Sequence, residues 1–132
     1  MDKRTAPDLT AFHLNGQVVE VAADPGERLS HALRERLGAK DVKIGCNAGD
    51  CGACTVLVDG APVCACLMPV QQAAGAKVET LTGLVKADPH ADRLVNSFQA
   101  HQAAQCGICT PGMMVSAVAL LRAQSPPDAA QV

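Results

Sequence analysis

An α+β fold, with a strand-rich first part followed by a helical second part, is what this sequence predicts, and three observations predict it. An Asn-Gly pair joins two short alternating runs near the start, two helix-like stretches fill the last third, and two separate groups of cysteines mark the two parts. We divide the chain accordingly into residues 1–82 and 83–132.

The elements follow in order. "AFHLNGQVVEV" reads as a hairpin with a type I′ turn at Asn15-Gly16, because both positions of that turn need positive φ; it sets Phe12 opposite Val19. "DPGERLSHALRERLG" reads as a helix, with Asp24 as N-cap, Pro25 at the first position, Glu27 completing a capping box and Gly38 as the stop. Leu29, Leu33 and Leu37 give it one apolar stripe. After a glycine-rich loop, a strand is expected from Thr55 to Val58, a turn at Asp59-Gly60, a returning strand near Val63 and another near Val78 to Thr80. "TGLVKADPH" reads as a connector with turn chemistry at Asp88-Pro89. Helices are expected over 90–104 and 111–123, with Thr110 and Pro111 opening the second. That second helix is apolar nearly all round, the pattern of a helix buried on several sides. The end, "SPPDAAQV", has the composition of a weakly ordered terminus.

Composition excludes several functions. The net charge is -2, and there is no Trp or Tyr and only Phe12 and Phe98, so a basic footprint and stacking platforms for nucleic acid are both missing. No run is long enough for membrane insertion, and "MDKRTAPDLT" has no apolar signal core, so we expect a cytoplasmic protein, with co-export of a complex to the periplasm as the alternative. Seven cysteines without an export signal argue for metal or redox chemistry rather than a disulfide framework.

The first group is Cys46, Cys51 and Cys54 followed at a distance by Cys66, the C-x4-C-x2-C…C spacing of plant-type 2Fe-2S proteins. A two-iron cluster needs four thiolates, three of them from one loop that must wrap it closely. Gly45, Gly49 and Gly52 permit that wrapping and turn N-H groups toward sulfur. Asp50 reads as a solvated loop residue. Zinc is the alternative metal for four cysteines, but its motifs more often present two C-x2-C knuckles. Cys64, two residues before Cys66, is a rival for the fourth position, since strand alternation would place both on one face. The second group, Cys106 and Cys109 in "QCGICTPG", is a C-x2-C that suits a dithiol, half a zinc site or half an iron-sulfur site. His13, His31, His90 and His101 stand singly and read as surface or capping residues.

Taken together, "GCNAGDCGACTVLVDGAPVCACL", "VETLTGL" and "QCGICTPGMM" resemble the iron-sulfur subunit or domain of the molybdenum hydroxylases, the xanthine dehydrogenase and aldehyde oxidoreductase family. The resemblance implies a β-grasp ferredoxin-like domain followed by a helical-bundle domain, each with a 2Fe-2S cluster. It implies Cys46, Cys51, Cys54 and Cys66 as ligands of an outer, plant-type cluster, with Cys64 the spare, and Cys106 and Cys109 as half the ligands of an inner cluster. Gln105 matches a pterin-contacting glutamine. The family takes the inner cluster's other two ligands from a later C-x-C, and this chain reaches Val132 without one, so a second cluster is expected only where those ligands are supplied. The resemblance further implies molybdopterin and FAD on partner subunits, a molybdopterin-binding large subunit together with a flavin-binding one, with this chain a non-catalytic electron-transfer subunit of an oxidoreductase. A free-standing 2Fe-2S carrier and a zinc-stabilised interaction module are the competing classes.

Overall fold

The computed structural model of the chain describes residues 7–123 and 127–130, so the expectations for the first ten residues and for 125–132 fall partly outside it. β1 (Asp8–Leu14) and β2 (Gln17–Ala23) form the expected hairpin, with Asn15 and Gly16 both at positive φ and Phe12 paired with Val19. β3 (Thr55–Val58) and β4 (Ala61–Cys64) form a second hairpin around Asp59 and Gly60, again both at positive φ. β5 (Lys77–Glu79) enters between the two hairpins, parallel to β1 and antiparallel to β3, giving the sheet order β2-β1-β5-β3-β4.

Both faces of β3 are covered. Successive side chains of a strand point to opposite faces. Val56 accordingly joins a core with Phe12, Leu29, Leu33, Val70 and Val78, whereas Leu57 joins a second with Leu84, Ala91, Val115 and Val118. The helices thus form two layers, one on each side of the sheet.

The first helix is shorter than its caps suggest. α1 (Leu29–His31) runs directly into a π-helical segment (Ala32–Arg36), closed by the Leu37 N-H on the Ala32 carbonyl and ended by Gly38 at φ 72°. Asp24 is not its N-cap. The Glu27 carboxylate does accept the Asp24 N-H at 3.1 Å, but this closes a turn ahead of the helix. Arg28 remains extended because it is bridged to Pro69, with Leu29 N-H on the Met68 carbonyl at 2.7 Å and Val70 N-H on that of Glu27 at 2.9 Å. A tertiary pairing overrides the local start signal.

The expected connector is a helix, α2 (Leu81–Ala87). Its first turn takes a cap from far away: the Asp41 carboxylate accepts the Thr82 N-H at 2.8 Å. The hairpin turn also holds it, since the Asn15 side chain accepts the Thr80 N-H at 2.9 Å and donates to the Thr80 hydroxyl at 3.0 Å. Asp88-Pro89 starts a helix rather than a turn: α3 (Pro89–Ala100) has Asp88 as its N-cap, accepting from His90 N-H at 2.8 Å. It ends at Ala100, short of the expected 104, where Gln102 takes positive φ.

α4 (Thr110–Ala123) buries Gly112, Met114, Val115 and Val118, while Met113 is 56 % exposed, so among the described residues it is buried along one side, not several. Its last turn is pinned by Arg122, which donates to Asp88 at 2.6 Å and to Glu79 at 3.2 and 3.4 Å. No helix among the described residues is long and apolar enough to cross a membrane.

Candidate metal centre

The Gly45–Cys54 loop leads into β3, and its approach is held at several points. The Lys43 N-H bonds the Ala53 carbonyl at 3.3 Å, closing the base. Arg34 Nη1 donates to the Lys40 and Val42 carbonyls at 3.2 and 2.7 Å, and Arg28 Nη1 to those of Asn47 and Cys66 at 2.5 and 3.0 Å. Within the loop Asn47, Gly49 and Gly52 take positive φ, which turns successive N-H groups inward.

Those N-H groups find sulfur. Cys46 Sγ accepts from Ala48, Asp50 and Cys51 at 3.3, 3.2 and 3.2 Å; Cys51 Sγ accepts from Cys46 and Ala53 at 3.3 and 3.4 Å; Cys54 Sγ accepts from Cys66 at 3.4 Å. The donors from Cys51, Ala48 and Asp50 draw the Cys46 thiol down to about 6, because hydrogen bonds to the charged form favour it. Burial instead pushes Cys54 up to about 11. Gly45 admits this arrangement, since a β-carbon there would stand 2.7 Å from Cys51 Sγ, and Gly49 leaves the space that Leu67 occupies.

The bonding joins Cys46 with Cys51, and Cys54 with Cys66. Two thiolates per iron is what a two-iron, four-cysteine cluster requires. The paired donor set therefore fits the two-iron cluster. Cys64 stands apart. β4 ends at Cys64, so the expected alternation stops before Cys66, and Cys64 Sγ turns to the Gly49 carbonyl at 4.0 Å.

Gln105, Cys106 and Cys109 are exposed in the turn before α4, where the Cys109 carbonyl accepts the Met113 N-H. The structure brings this second group beside the first through Gly112, which lies against the Gly52 backbone. Next to this contact lies a cavity of about 610 Å³, lined by Cys51, Gly52, Leu94, Phe98, Met113 and Leu120. Of the histidines, His31 bonds Glu27 at 2.8 Å and His101 bonds the Ser97 carbonyl at 2.9 Å, as surface and capping residues do.

Sequence reasoning missed Arg28, Arg34 and Gly112. Arginine and glycine carry no motif at those positions, and each acts on a segment distant in the chain.

Comparison with known proteins agrees with the donor set. Residues 12–82 match the 2Fe-2S iron-sulfur cluster binding domain, and residues 80–132 match the [2Fe-2S] binding domain. The nicotinate dehydrogenase small FeS subunit of Eubacterium barkeri is 43% identical over 110 residues, covering 83% of this chain and 69% of its own. The xanthine dehydrogenase iron-sulfur-binding subunit of Escherichia coli O157:H7 is 41% identical over 108 residues, 82% of this chain and 67% of its own. Among solved structures, quinoline 2-oxidoreductase from Pseudomonas putida superposes with a TM-score of 0.81 at 40% identity, over 92% of this chain and 74% of the other. Aldehyde oxidoreductase from Desulfovibrio gigas gives 0.82 at 35%, over 92% and 13%.

Proposed function

Since the chain belongs to the 2Fe-2S small subunits of the molybdenum hydroxylase family, we propose that Cys46, Cys51, Cys54 and Cys66 hold its plant-type cluster, through which this non-catalytic subunit passes electrons. One observation carries the assignment: six backbone N-H groups donate to the sulfurs of Cys46, Cys51 and Cys54. When bound, such a cluster takes up and releases one electron at a time at about −400 mV. The N-H donors stabilise negative charge on the ligand sulfurs, more so in the reduced state, where that charge is larger. Gly45 keeps a side chain away from the Cys51 sulfur, and Gly49 leaves room for Leu67.

Cys106 and Cys109 are proposed as half the ligands of a second cluster, with Gln105 contacting a pterin, as the family resemblance implies. The partners would be a molybdopterin-binding large subunit, together with a flavin-binding one. Ile108 at 44 % and Met113 at 56 % exposure, on either side of Cys109, support a covering partner. We place the division of the chain at 82/83, shortly after β5 gives way to α2, and the protein in the cytoplasm, where free thiols persist.

The test is EPR of the dithionite-reduced protein with iron and sulfide counts. A plant-type 2Fe-2S signal that vanishes in Cys51→Ala is expected. A colourless zinc protein without iron, or a signal that survives the substitution, sinks the assignment.

A further inference from the structure

We propose that Arg28 is a positioning residue of the cluster, tying together the two chain segments that carry the two cysteine pairs and fixing a positive charge beside them. This rests on reading Cys46, Cys51, Cys54 and Cys66 as the ligands.

The root of the side chain is fixed first. Arg28 is extended and bridged to Pro69, and the neighbouring Leu29 and Val70 N-H groups lock that bridge on both sides. From there Nη1 donates to the Asn47 carbonyl at 2.5 Å and to the Cys66 carbonyl at 3.0 Å. Asn47 follows Cys46, whose partner is Cys51, while Cys66 is the partner of Cys54. One nitrogen therefore bonds the backbone on both sides of the site.

Both acceptors are neutral carbonyls, so neither cancels the guanidinium charge. The nearest carboxylate in the chain, Glu27, is engaged by Arg36 at 2.7 and 2.8 Å and by His31, and among the described residues no ion pair uses Arg28. The positive charge is left to act on the thiolate-rich site. One electron arriving there, from dithionite or from a partner, adds one negative charge to it, and a nearby fixed cation favours that state. Lysine would keep the charge, but its ammonium sits one bond closer to the backbone than Nη1 and falls short of the two carbonyls.

The experiment is a dithionite titration of the full chain, isolated with its cluster and followed by EPR, with iron loss to a chelator measured alongside. At the solution potential that half-reduces the wild type, Arg28→Gln is expected to show a reduced-to-oxidised ratio on the order of tenfold lower, ~59 mV for a one-electron couple, with faster iron loss. Arg28→Lys is expected to restore the ratio but not the retention of iron. A wild-type titration curve in Arg28→Gln overturns the proposal while leaving the ligand reading intact; a wild type without an EPR-active cluster overturns both. Where Arg28→Gln fails to fold, Arg28→Lys decides: faster iron loss at an unchanged potential supports the clamp, and wild-type iron loss overturns it.

Discussion

Gly112 of α4 lies directly on the backbone of Gly52 in the cysteine loop, so closely that a β-carbon at residue 112 would overlap the Gly52 carbonyl oxygen and come within 3.2 Å of Ala53 Cα. Neither obstacle is a flexible side-chain tip, so the helix itself would have to move. Gly112→Ala is therefore expected to destabilise the protein by ~2 kcal/mol or more, measured by urea unfolding. Gly107→Ala is the control: that glycine has positive φ but open space around it, and its strain should cost only about 1 kcal/mol. Equal stability of Gly112→Ala and wild type would show that helix and loop are not in contact.

Cys64 and Cys66 should separate cleanly. Cys64 Sγ makes its one hydrogen bond among the described residues to the Gly49 carbonyl, at 4.0 Å, whereas the Cys66 N-H bonds Cys54 Sγ. Cys64→Ser is expected to keep the iron content and EPR signal, and Cys66→Ser to lose the plant-type signal. The reverse pattern would transfer the fourth ligand to Cys64.

Arg122 bridges two carboxylates that are themselves buried, Glu79 and Asp88, and Lys77 adds a second, more distant cation at Glu79. Burial alone would raise the Asp88 carboxyl, but Arg122 and the His90 N-H outweigh it and hold it low. Arg122→Met would leave both carboxylates without that cation, at a cost of about 3 kcal/mol in chemical unfolding. Adding Glu79→Gln and Asp88→Asn should recover part of the loss; no recovery would mean that the arginine acts through its packing instead.

Glu27 sets an acid limit. Arg36 draws its carboxyl from 4.5 down to about 2 against an opposing effect of burial, aided by His31 and the Asp24 N-H. A carboxyl lowered in the fold stabilises it fully above its unfolded value and stops doing so as the pH falls through the folded one. The thermal midpoint of wild type relative to Glu27→Gln should thus hold steady above about pH 5 and fall toward pH 2. Parallel curves for the two proteins would contradict the assignment.

The legible parts of the fold were those written locally. Asn15-Gly16 and Asp59-Gly60 specify their own turns, and the cysteine spacing announces its loop because ligand geometry is set within ten residues. What escaped was written at a distance. α2 begins where Asp41 caps it and Asn15 holds Thr80, two partners that lie far from residue 81 in the chain. α1 starts late because Pro69 claims Arg28, and the seating of α4 on the cysteine loop depends on Gly112 meeting Gly52. A helix cap or a close approach supplied by another segment has no local signature.

The sheet order has a consequence for how the molecule assembles. Its central strand, β5, is the last strand in the chain, and His13 meets Lys77 across it. Until that segment is available, β1–β2 and β3–β4 are two separate hairpins, each marginal by itself in water. The joining step closes a long stretch of chain, so it carries a larger loop-closure cost than either hairpin. A ribosome-bound fragment ending before residue 77 would hold the cysteine loop at the base of a hairpin that β5 does not yet join to the rest of the sheet.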